Sequence, residues 1–454
     1  MLVMFADGLF FDNYNTRPSM AMMHMEVRPP LISDPVPLSE KDYFSQYQLS
    51  LSLPSNPDEP MEPEIIEEHG EKIKLYRIIT QNVLHEIRPG VKVPMISFNY
   101  RIPGPTIRIT EGDRVRVILY NNATDPHTIH WHGIETLHFT SDGVPDLTQE
   151  WVNPGESYAY DFNASPSGTR MYHCHVEAPH HMTMGMFGAL IIDPITQHNQ
   201  ANDQTNNNSK NNNDQTNNNR IPNSDDGSPF GSPTKENTFI FSEFDAKHPH
   251  VPLPGEMMPM GPDKSILPWL LPGPKFMMAF DPSFDEFMIN GKSFPATPSI
   301  ILKEGDIVRW RLINIGMNVH SIHIHGHHFI VTHRDGFKLP APFEVDTLLI
   351  GPGERYDVWF KANNPGLWMV HDHAGMNAMA KGYDPAGIMF ALAYEGHSTE
   401  AYDALIERVK VYTETIEHAD EDHGMLTPTT SPAGGMMDMG GMDMGGMSSG
   451  MEEH

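Results

Sequence analysis

The stretch Pro105–Asp113, Pro-Thr-Ile-Arg-Ile-Thr-Glu-Gly-Asp, is followed by apolar residues at every second position, Val115, Val117 and Leu119. The same pattern returns in Pro298–Asp306, Pro-Ser-Ile-Ile-Leu-Lys-Glu-Gly-Asp, and continues through Val308, Trp310 and Leu312. An alternation of period two after a Glu-Gly-Asp turn is typical of β-strands that bury one face. The sequence therefore predicts two copies of one β domain.

Four His-x-His pairs lie at matching places in the two copies. They are His130-Trp131-His132, His173-Cys174-His175, His323-Ile324-His325 and His371-Asp372-His373. The glutamate of each Glu-Gly-Asp turn precedes its first pair by 19 residues, and that of a later Pro-Gly-Glu turn precedes the next pair by 17. Each pair is thus expected at the same structural position in both domains, where a rigid sandwich would hold the imidazoles as metal ligands.

The chain has one cysteine, Cys174, and it lies between the two histidines of the second pair. Blue-copper chemistry needs two imidazoles, a thiolate and a weak axial thioether. His127 upstream and the run His180-His181-Met182-Thr183-Met184-Gly185-Met186 downstream offer the remaining ligands. A buried cysteine that acts only as a small apolar residue is the alternative. The flanking histidines favour copper.

Composition limits the class of protein. The 454 residues carry a formal net charge of -29, which argues against nucleic acid as a partner. Forty prolines and 36 glycines favour turn-rich β structure. One cysteine excludes an intrachain disulfide framework, and no apolar run reaches membrane-spanning length. We expect an extracytoplasmic protein, secreted or periplasm-like, although Met1–Asp7 lacks the features of a signal peptide.

Shifts in composition divide the chain into segments. We expect an extended Pro- and acid-rich arm over 1–71, a first β domain over 72–195, a disordered Asn-rich linker over 196–235 and a second β domain over 236–398. Residues 399–454 are expected to hold a short helix, with helical apolar spacing over 400–418, and a disordered Met-rich tail.

The element His127-Thr-Ile-His130-Trp-His132-Gly133 resembles the H-x-x-H-x-H-G element of multicopper oxidases, and His320-Ser-Ile-His323-Ile-His325-Gly326 resembles it again. The chain is similar to the laccase-like, two-domain members of that family over 72–195 and 236–398. The resemblance implies an all-β fold of two cupredoxin-like Greek-key β-sandwich domains.

The resemblance also implies the copper ligands. Type 1 copper would be held by His127, Cys174, His181 and Met186, with His180 as the alternative to His181. Type 2 copper would be held by His130 and His323, and the type 3 pair by His132, His173, His175, His325, His371 and His373. Asp372 stands where a second cysteine would be, so we predict one type 1 copper per chain, in the first domain, about four coppers in all, and a structural His320.

For the family, the resemblance implies four one-electron oxidations coupled to reduction of dioxygen to water. Electrons would be taken up near the exposed edge of a type 1 histidine and pass through Cys174. Asp142 resembles the acidic residue that assists proton delivery, although Asp-Gly is also a common turn pair. In two-domain members neighbouring subunits complete each trinuclear cluster, so we predict a homotrimer.

The electron donor stays open among phenols, Cu(I) and small nitrogen compounds such as hydroxylamine. Soft thioethers suit Cu(I), and methionines cluster in Met20–Met25, Met257–Met260 and the tail from Met436 to Met451. One hypothesis is therefore that the tail captures Cu(I), against a merely flexible tail. Two alternatives to the oxidase are a copper nitrite reductase, which does not need paired histidines in both domains, and a non-catalytic copper-binding or electron-transfer protein.

Overall fold

In the computed structural model of the chain, the described residues are 50–195, 227–245, 284–378 and 385–410; of Met376 only the backbone is described. Across these ranges the regular structure is almost all β-strand, which confirms the predicted all-β fold. None of the helices within them is long and apolar enough to cross a membrane. The Asn-rich repeats, the three Met-rich stretches and positions 411–418 of the predicted helix lie outside the described residues.

The first domain is built from two sheets. Its strands are β1 (Ser50–Leu51), β2 (Glu64–Glu68), β3 (Glu71–Arg88), β4 (Val91–Phe98), β5 (Ile107–Thr110), β6 (Arg114–Asn121), β7 (His130–His132), β8 (Ser157–Asn163), β9 (Gly168–His173) and β10 (Phe187–Asp193). One sheet has the order β1-β3-β6-β8, with β2 and β4 also paired to β3, and the other has the order β5-β10-β9-β7. A short helix, α1 (Ala178–Thr183), follows β9.

The second domain repeats this plan. Its strands are β11 (Lys235–Phe244), β12 (Glu286–Ile289), β13 (Ile300–Leu302), β14 (Ile307–Asn314), β15 (His320–Ile324), β16 (Phe329–Arg334), β17 (Phe337–Val345), β18 (Thr347–Ile350), β19 (Arg355–Lys361), β20 (Leu367–Asp372) and β21 (Met389–Tyr394). The sheets have the orders β12-β11-β14-β19-β16-β17 and β13-β21-β20-β15-β18. A helix, α2, covers residues 400–410 and packs Tyr402 near Phe294 and Met389.

The Glu-Gly-Asp turns have the same local chemistry in both domains. Gly112 and Gly305 adopt φ angles of +89° and +93°, a conformation that favours glycine. In each turn the aspartate side chain accepts a hydrogen bond from the backbone N–H three residues earlier, that of Thr110 or Lys303, at 2.6 and 2.8 Å. In the strands that follow, β6 and β14, the alternate apolar positions are buried, as the alternation predicts. Strand β14 differs from the prediction of one buried face, because Arg309 and Arg311 on its other face are buried as well.

Part of the predicted arm belongs to the first domain. Strand β1 pairs in parallel with β3, and β2 pairs with it antiparallel, so Glu64 lies opposite Leu75. Acidic side chains suit β2 because it is an exposed strand whose Glu64 forms an ion pair with Arg77 of β3. The Pro- and acid-rich composition of residues 1–71 predicted an extended arm and did not indicate this strand pairing.

Each domain buries its own core, but the first core also takes apolar residues from the second domain. Trp131 is buried in the first core and Trp310 in the second. Ile240, Phe244 and Met288, from β11 and β12, belong to the cluster that contains Cys174. The cysteine therefore lies in a core shared by both domains.

Candidate metal centre

A thiol and two imidazoles converge inside the first domain, just beyond the end of β9. The Sγ atom of Cys174 lies 3.6 Å from Nδ1 of His127 and 3.4 Å from Nδ1 of His181. All three side chains are buried, with exposed fractions of 0, 0 and 1%. Among the described residues these three form one of two groups whose side chains could share a metal ion.

The loop between Cys174 and Met186 brings His181 into this site. Glu177 adopts a left-handed conformation with φ 44°, and its carbonyl accepts hydrogen bonds from the backbone N–H groups of His180 and His181. The N–H of Met186 donates to the carbonyl of His181, and the N–H of Cys174 donates to the carbonyl of Met186. The loop is thus closed on itself, and Met186 is fully buried in the same core cluster.

The geometry separates His181 from His180. His180 is also buried, and its ring centroid lies 5.7 Å from that of His181. It is not a member of the converging group, since residues 180 and 181 point about 100° apart around a helix. The structure thus brings His127, Cys174 and His181 together, with Met186 beside them.

These residues fit a soft metal ion. Metal–imidazole bonds of about 2.0–2.1 Å and metal–thiolate bonds of about 2.3 Å, at tetrahedral to trigonal angles, separate nitrogen from sulfur by about 3.5–3.8 Å. The two observed Nδ1–Sγ distances lie at or just below this range. Burial lowers the pKa of His127 to about 3 and raises the pKa of Cys174 to about 12. The imidazoles are therefore neutral ligands, and a bound cation would stabilise the thiolate.

One expectation about this site is wrong. Neither His127 nor His181 has an exposed edge in the structure, because both lie in the interior with almost no accessible surface. The physical reason is that α1 and apolar residues of the second domain, such as Phe244, pack into the same region. An electron donor would therefore face the residues that cover these histidines.

A second group of imidazoles comes from the four paired histidines of the first domain. Strand β7 pairs with β9, so His130 lies opposite His173. The Nε2 atoms of His132 and His173 face each other at 2.9 Å. The ring of His130 lies 4.9 Å from that of His132 and 5.2 Å from that of His175. His130, His132 and His173 thus form the second group whose side chains could share a metal ion, and the ring of His175 lies beside them.

Backbone carbonyls fix the orientation of these rings. Nδ1–H of His130 donates to the carbonyl of Asp142 at 2.7 Å, and Nδ1–H of His173 donates to the carbonyl of Cys174 at 2.7 Å. A carbonyl only accepts, so in a neutral imidazole these bonds place the proton on Nδ1 and leave Nε2 as the atom that can bind metal. Burial lowers the pKa of His132 to about 2 and that of His173 to about 3, which keeps these two imidazoles neutral.

Asp142 lies beside this set. Its Oδ1 atom is 3.4 Å from Nδ1 of His130, and its side chain is about one-third exposed. It ends a short 3-10 turn, Phe139–Ser141. The structure therefore places Asp142 both in a turn and next to a predicted type 2 ligand.

The second domain presents a matching set. Strand β15 pairs with β20, so His323 lies opposite His371. The Nε2 atoms of His325 and His371 lie 3.2 Å apart. Nδ1–H of His323 donates to the carbonyl of Asp346, and that of His371 to the carbonyl of Asp372. Two of these histidines are more exposed than their counterparts in the first domain: His371 is half-buried where His173 is buried, and His373 is exposed where His175 is half-buried.

The two sets are separate within one chain. Among the residues that the structure describes, ring contacts join histidines inside each set and none joins a histidine of one set to the other. Exposed apolar side chains lie near each histidine set. In the first domain Phe139 and Leu147 stand on either side of Asp142 in the sequence; in the second Val319 precedes His320, and Leu349 lies opposite Ser321 in the sheet. Each set thus has apolar surface nearby.

Asp372 and His320 form an ion pair where the second domain lacks a thiol. Nδ1 of His320 lies 2.8 Å from Oδ2 of Asp372, and Nε2 lies 2.9 Å from Oε1 of Glu243. Sequence reasoning gave His320 a structural role but missed Glu243. A glutamate inside the apolar run of β11, Phe-Ile-Phe-Ser-Glu-Phe at its end, was the available signal.

Comparisons with known proteins point to one family. Family models described as multicopper oxidase match residues 80–197 and 268–382. The blue copper oxidase from Nitrosomonas europaea shares 33% identity with a TM-score of 0.56, over 71% of this chain and 86% of that one. The multicopper oxidase mgLAC shares 32% identity with a TM-score of 0.56, over 71% and 87%.

A curated relative, the multicopper oxidase MmcO of Mycobacterium tuberculosis, is 31% identical over 303 residues, which are 64% of this chain and 53% of the relative. Laccase-14 of Arabidopsis thaliana is 26% identical over 71% of this chain and 50% of its own length. The chain thus spans about half the length of these curated relatives.

Proposed function

Because the chain belongs to the multicopper oxidase family, we propose that it oxidises a small electron donor one electron at a time and reduces dioxygen to water. One observation carries this proposal. The buried Cys174 has two imidazoles within 3.6 Å of its sulfur, and it is flanked in the chain by two histidines of the paired set. The arrangement joins a soft one-metal site to a cluster of imidazoles.

In this proposal His127, Cys174, His181 and Met186 hold a type 1 copper, in the first domain only. The paired histidines hold the other coppers. Type 2 copper is held by His130 and His323, and the type 3 pair is held by His132, His173, His175, His325, His371 and His373. When bound, copper at these places supplies one-electron transfer and the reduction of dioxygen.

The residues of the chain connect the two kinds of site. Cys174 is joined by its own backbone to His173 and His175, so the connection runs through a few covalent bonds. The hydrogen bond from His173 Nδ1 to the Cys174 carbonyl adds a second short connection between the same two residues. Burial of the cysteine keeps water away from the sulfur.

Asp142 is proposed to hold and pass protons at its carboxylate. The carboxylate is part exposed, so it can exchange protons with solvent, and it lies 3.4 Å from the ring of His130. Reduction of dioxygen to water consumes protons, and a carboxylate that takes up a proton from solvent can pass it on as the carboxylic acid. The backbone carbonyl of Asp142 meanwhile accepts a hydrogen bond from the ring of His130 and holds that ring in place.

The proposed assembly is a homotrimer in which each cluster combines four histidines of one chain with four of its neighbour. The separation of the two sets within the chain, and the exposed apolar residues near both, support this arrangement. A head-to-tail contact between unlike domains closes into a ring by repetition. Neither set alone offers eight imidazoles.

Metal analysis together with oxygen uptake tests the proposed function. We expect about four coppers per chain and oxygen consumption with a phenol, Cu(I) or hydroxylamine as donor. The same reductant supplied with nitrite under anaerobic conditions should give no turnover. Nitrite consumption would instead indicate a nitrite reductase, and one or two coppers without oxygen uptake would indicate an electron-transfer protein.

A further inference from the structure

The second domain contains a buried charged cluster at the place that corresponds to the cysteine site. We call Glu243, His320, Asp372 and Asn377 the acid–imidazole cluster. His320 is the first histidine of its H-x-x-H-x-H-G element, as His127 is in the first domain, and Asp372 stands between two paired histidines, as Cys174 does. The side chains of Glu243 and His320 have no exposed surface, and Asp372 and Asn377 are 1 and 4% exposed.

Both ring nitrogens of His320 contact carboxylates. Nδ1 lies 2.8 Å from Asp372 and Nε2 lies 2.9 Å from Glu243. In the first domain, by contrast, Nδ1 of His127 faces the sulfur of Cys174. His320 therefore has no nitrogen left for a metal ion, and the cluster closes on itself.

The two carboxylates also accept hydrogen bonds from backbone groups beside the metal ligands. Asp372 Oδ1 accepts from the N–H groups of Ser321 and Ala374, both at 2.9 Å. The N–H of His373 donates to the carbonyl of Ser321 at 2.7 Å. Asp372 thus ties the end of β20, where His371 and His373 flank it, to the strand β15 that carries His323.

Glu243 anchors the loop that precedes this strand. Its two oxygens accept from the N–H groups of Met317 and Asn318, at 2.8 and 3.2 Å. Asn377 completes the connection, since its Nδ2 group donates to Asp372 at 2.8 Å and to the Val319 carbonyl at 3.0 Å. A Cβ atom at Gly316 would meet the Glu243 carboxylate at 2.2 Å, so the loop and the acid are closely fitted.

We propose that Glu243, His320 and Asp372 are positioning residues that set the register of the two His-x-His pairs of the second domain. This inference rests on the proposed function, because it assumes that those histidines bind copper. A trio of apolar side chains would fill the same space without burying charge. The charged trio adds directional hydrogen bonds to the backbone on both sides of the ligands, which an apolar core cannot provide.

Glu243→Gln tests the inference, with Glu286→Gln as the matched control. Glu286 is also a fully buried glutamate of the second domain, and it pairs with Arg88 of the first domain at 3.1 Å. Copper affinity is measured by competition with a chelator, and the type 2 copper is followed by electron paramagnetic resonance. Loss of a residue that orients metal ligands typically weakens binding by about 10–100-fold, which is the result expected for Glu243→Gln at the paired histidines.

Two further signals separate positioning from general damage. The blue absorption of the Cys174 site should be unchanged in Glu243→Gln, because the first domain holds all its ligands. Glu286→Gln should leave copper affinity and the type 2 signal unchanged, even where it lowers the melting temperature. If Glu243→Gln does not fold, Asn377→Ala, which removes the Nδ2 contacts with Asp372, the Val319 carbonyl and Nδ1 of His320, should weaken copper binding in the same direction.

The inference is overturned if Glu243→Gln, or Asn377→Ala in its place, binds copper as the unmodified chain does and has the same type 2 spectrum. It is also overturned if Glu286→Gln weakens copper binding equally. If the unmodified chain itself binds no copper at the paired histidines, the proposed function and the inference are overturned together.

Discussion

The Sγ atom of Cys174 lies 3.4 Å from Nδ1 of His181, seven residues further along the chain. His181 lies within helix α1, which the Glu177 carbonyl anchors by accepting the backbone N–H groups of His180 and His181. Because successive residues of a helix point about 100° apart, only one of the two rings, that of His181, faces the sulfur. The order of the two histidines in the sequence does not show which one reaches the cysteine. The fold of the intervening loop does.

His181→Ala should abolish the blue absorption of the copper-loaded protein, because the site loses one of its two imidazoles. His180→Ala should retain most of that absorption, since His180 does not contact the cysteine sulfur in the structure. Absorption spectra of the two copper-loaded variants check this assignment. A blue His181→Ala protein beside a colourless His180→Ala protein would reverse it.

Asp357→Asn should destabilise the contact between the domains. The Asp357 carboxylate accepts from Thr169 of the first domain at 2.5 Å and pairs with Arg309 at 2.5 Å, and all are buried. Burial opposes its ionisation, yet Arg309 and Arg311 hold the pKa of Asp357 well below its ordinary value. Removing one partner of a buried ion pair typically costs about 3–5 kcal/mol, which urea unfolding can measure.

Asp193→Asn is the control for this change. Asp193 pairs with Arg108 at the surface, with about a third of its side chain exposed, so its loss should cost less than about 1 kcal/mol. An equal loss of unfolding free energy in the two variants would show that burial does not make the ion pair of Asp357 more stabilising than the exposed pair of Asp193.

His85 should make the protein less stable at mildly acidic pH. Burial, and then nearby Lys292, lowers the pKa of His85 to about 4. Its Nε2–H donates to the Gly291 carbonyl and its Nδ1 accepts from Ser52, both at 2.7 Å. The unfolded chain, with a histidine pKa of about 6.5, binds the proton first, so stability falls as pH drops from about 6.5 to about 4, by about 3 kcal/mol in all.

Unfolding free energies of the metal-free chain and of His85→Gln, measured between pH 7 and 4, check this contribution. The variant should lose less stability over that interval than the unmodified chain does. Parallel curves for the two proteins would assign the acid sensitivity to other groups.

Deletion of residues 435–454 tests the hypothesis that the Met-rich tail captures Cu(I). The truncated chain should oxidise Cu(I) more slowly and an organic reductant at an unchanged rate, since thioethers bind Cu(I) and have no special affinity for the organic donor. Initial rates of oxygen uptake with the two donors provide the measurement. An equal loss of rate with both donors, or no loss of rate, would contradict the hypothesis.

The repeated Glu-Gly-Asp turns and the spacing of the His-x-His pairs were enough to predict a two-domain β fold. This works because turn chemistry and alternation are local properties of the chain, and because strand pairing in a repeated domain brings the same positions together. His130 opposite His173 and His323 opposite His371 are examples.

Contacts between distant segments were not predictable in this way. Glu243 lies 77 residues before His320, and only the packing of β11 beside the second domain's histidines brings them together. The packing of α1, which carries His181, against β11 of the other domain likewise joins distant segments. Sequence spacing within one element carries no information about which side chains another element places over it.

Complementation between two inactive variants tests the shared cluster most directly. One variant carries His132→Ala in the first domain and the other His325→Ala in the second, and each alone should take up no oxygen. If neighbouring chains complete each cluster, unfolding and reassembling an equal mixture restores about a quarter of the activity, because one of four pairings at each contact joins two intact sets. A mixture that stays inactive, while unmodified protein recovers under the same treatment, would contradict the account.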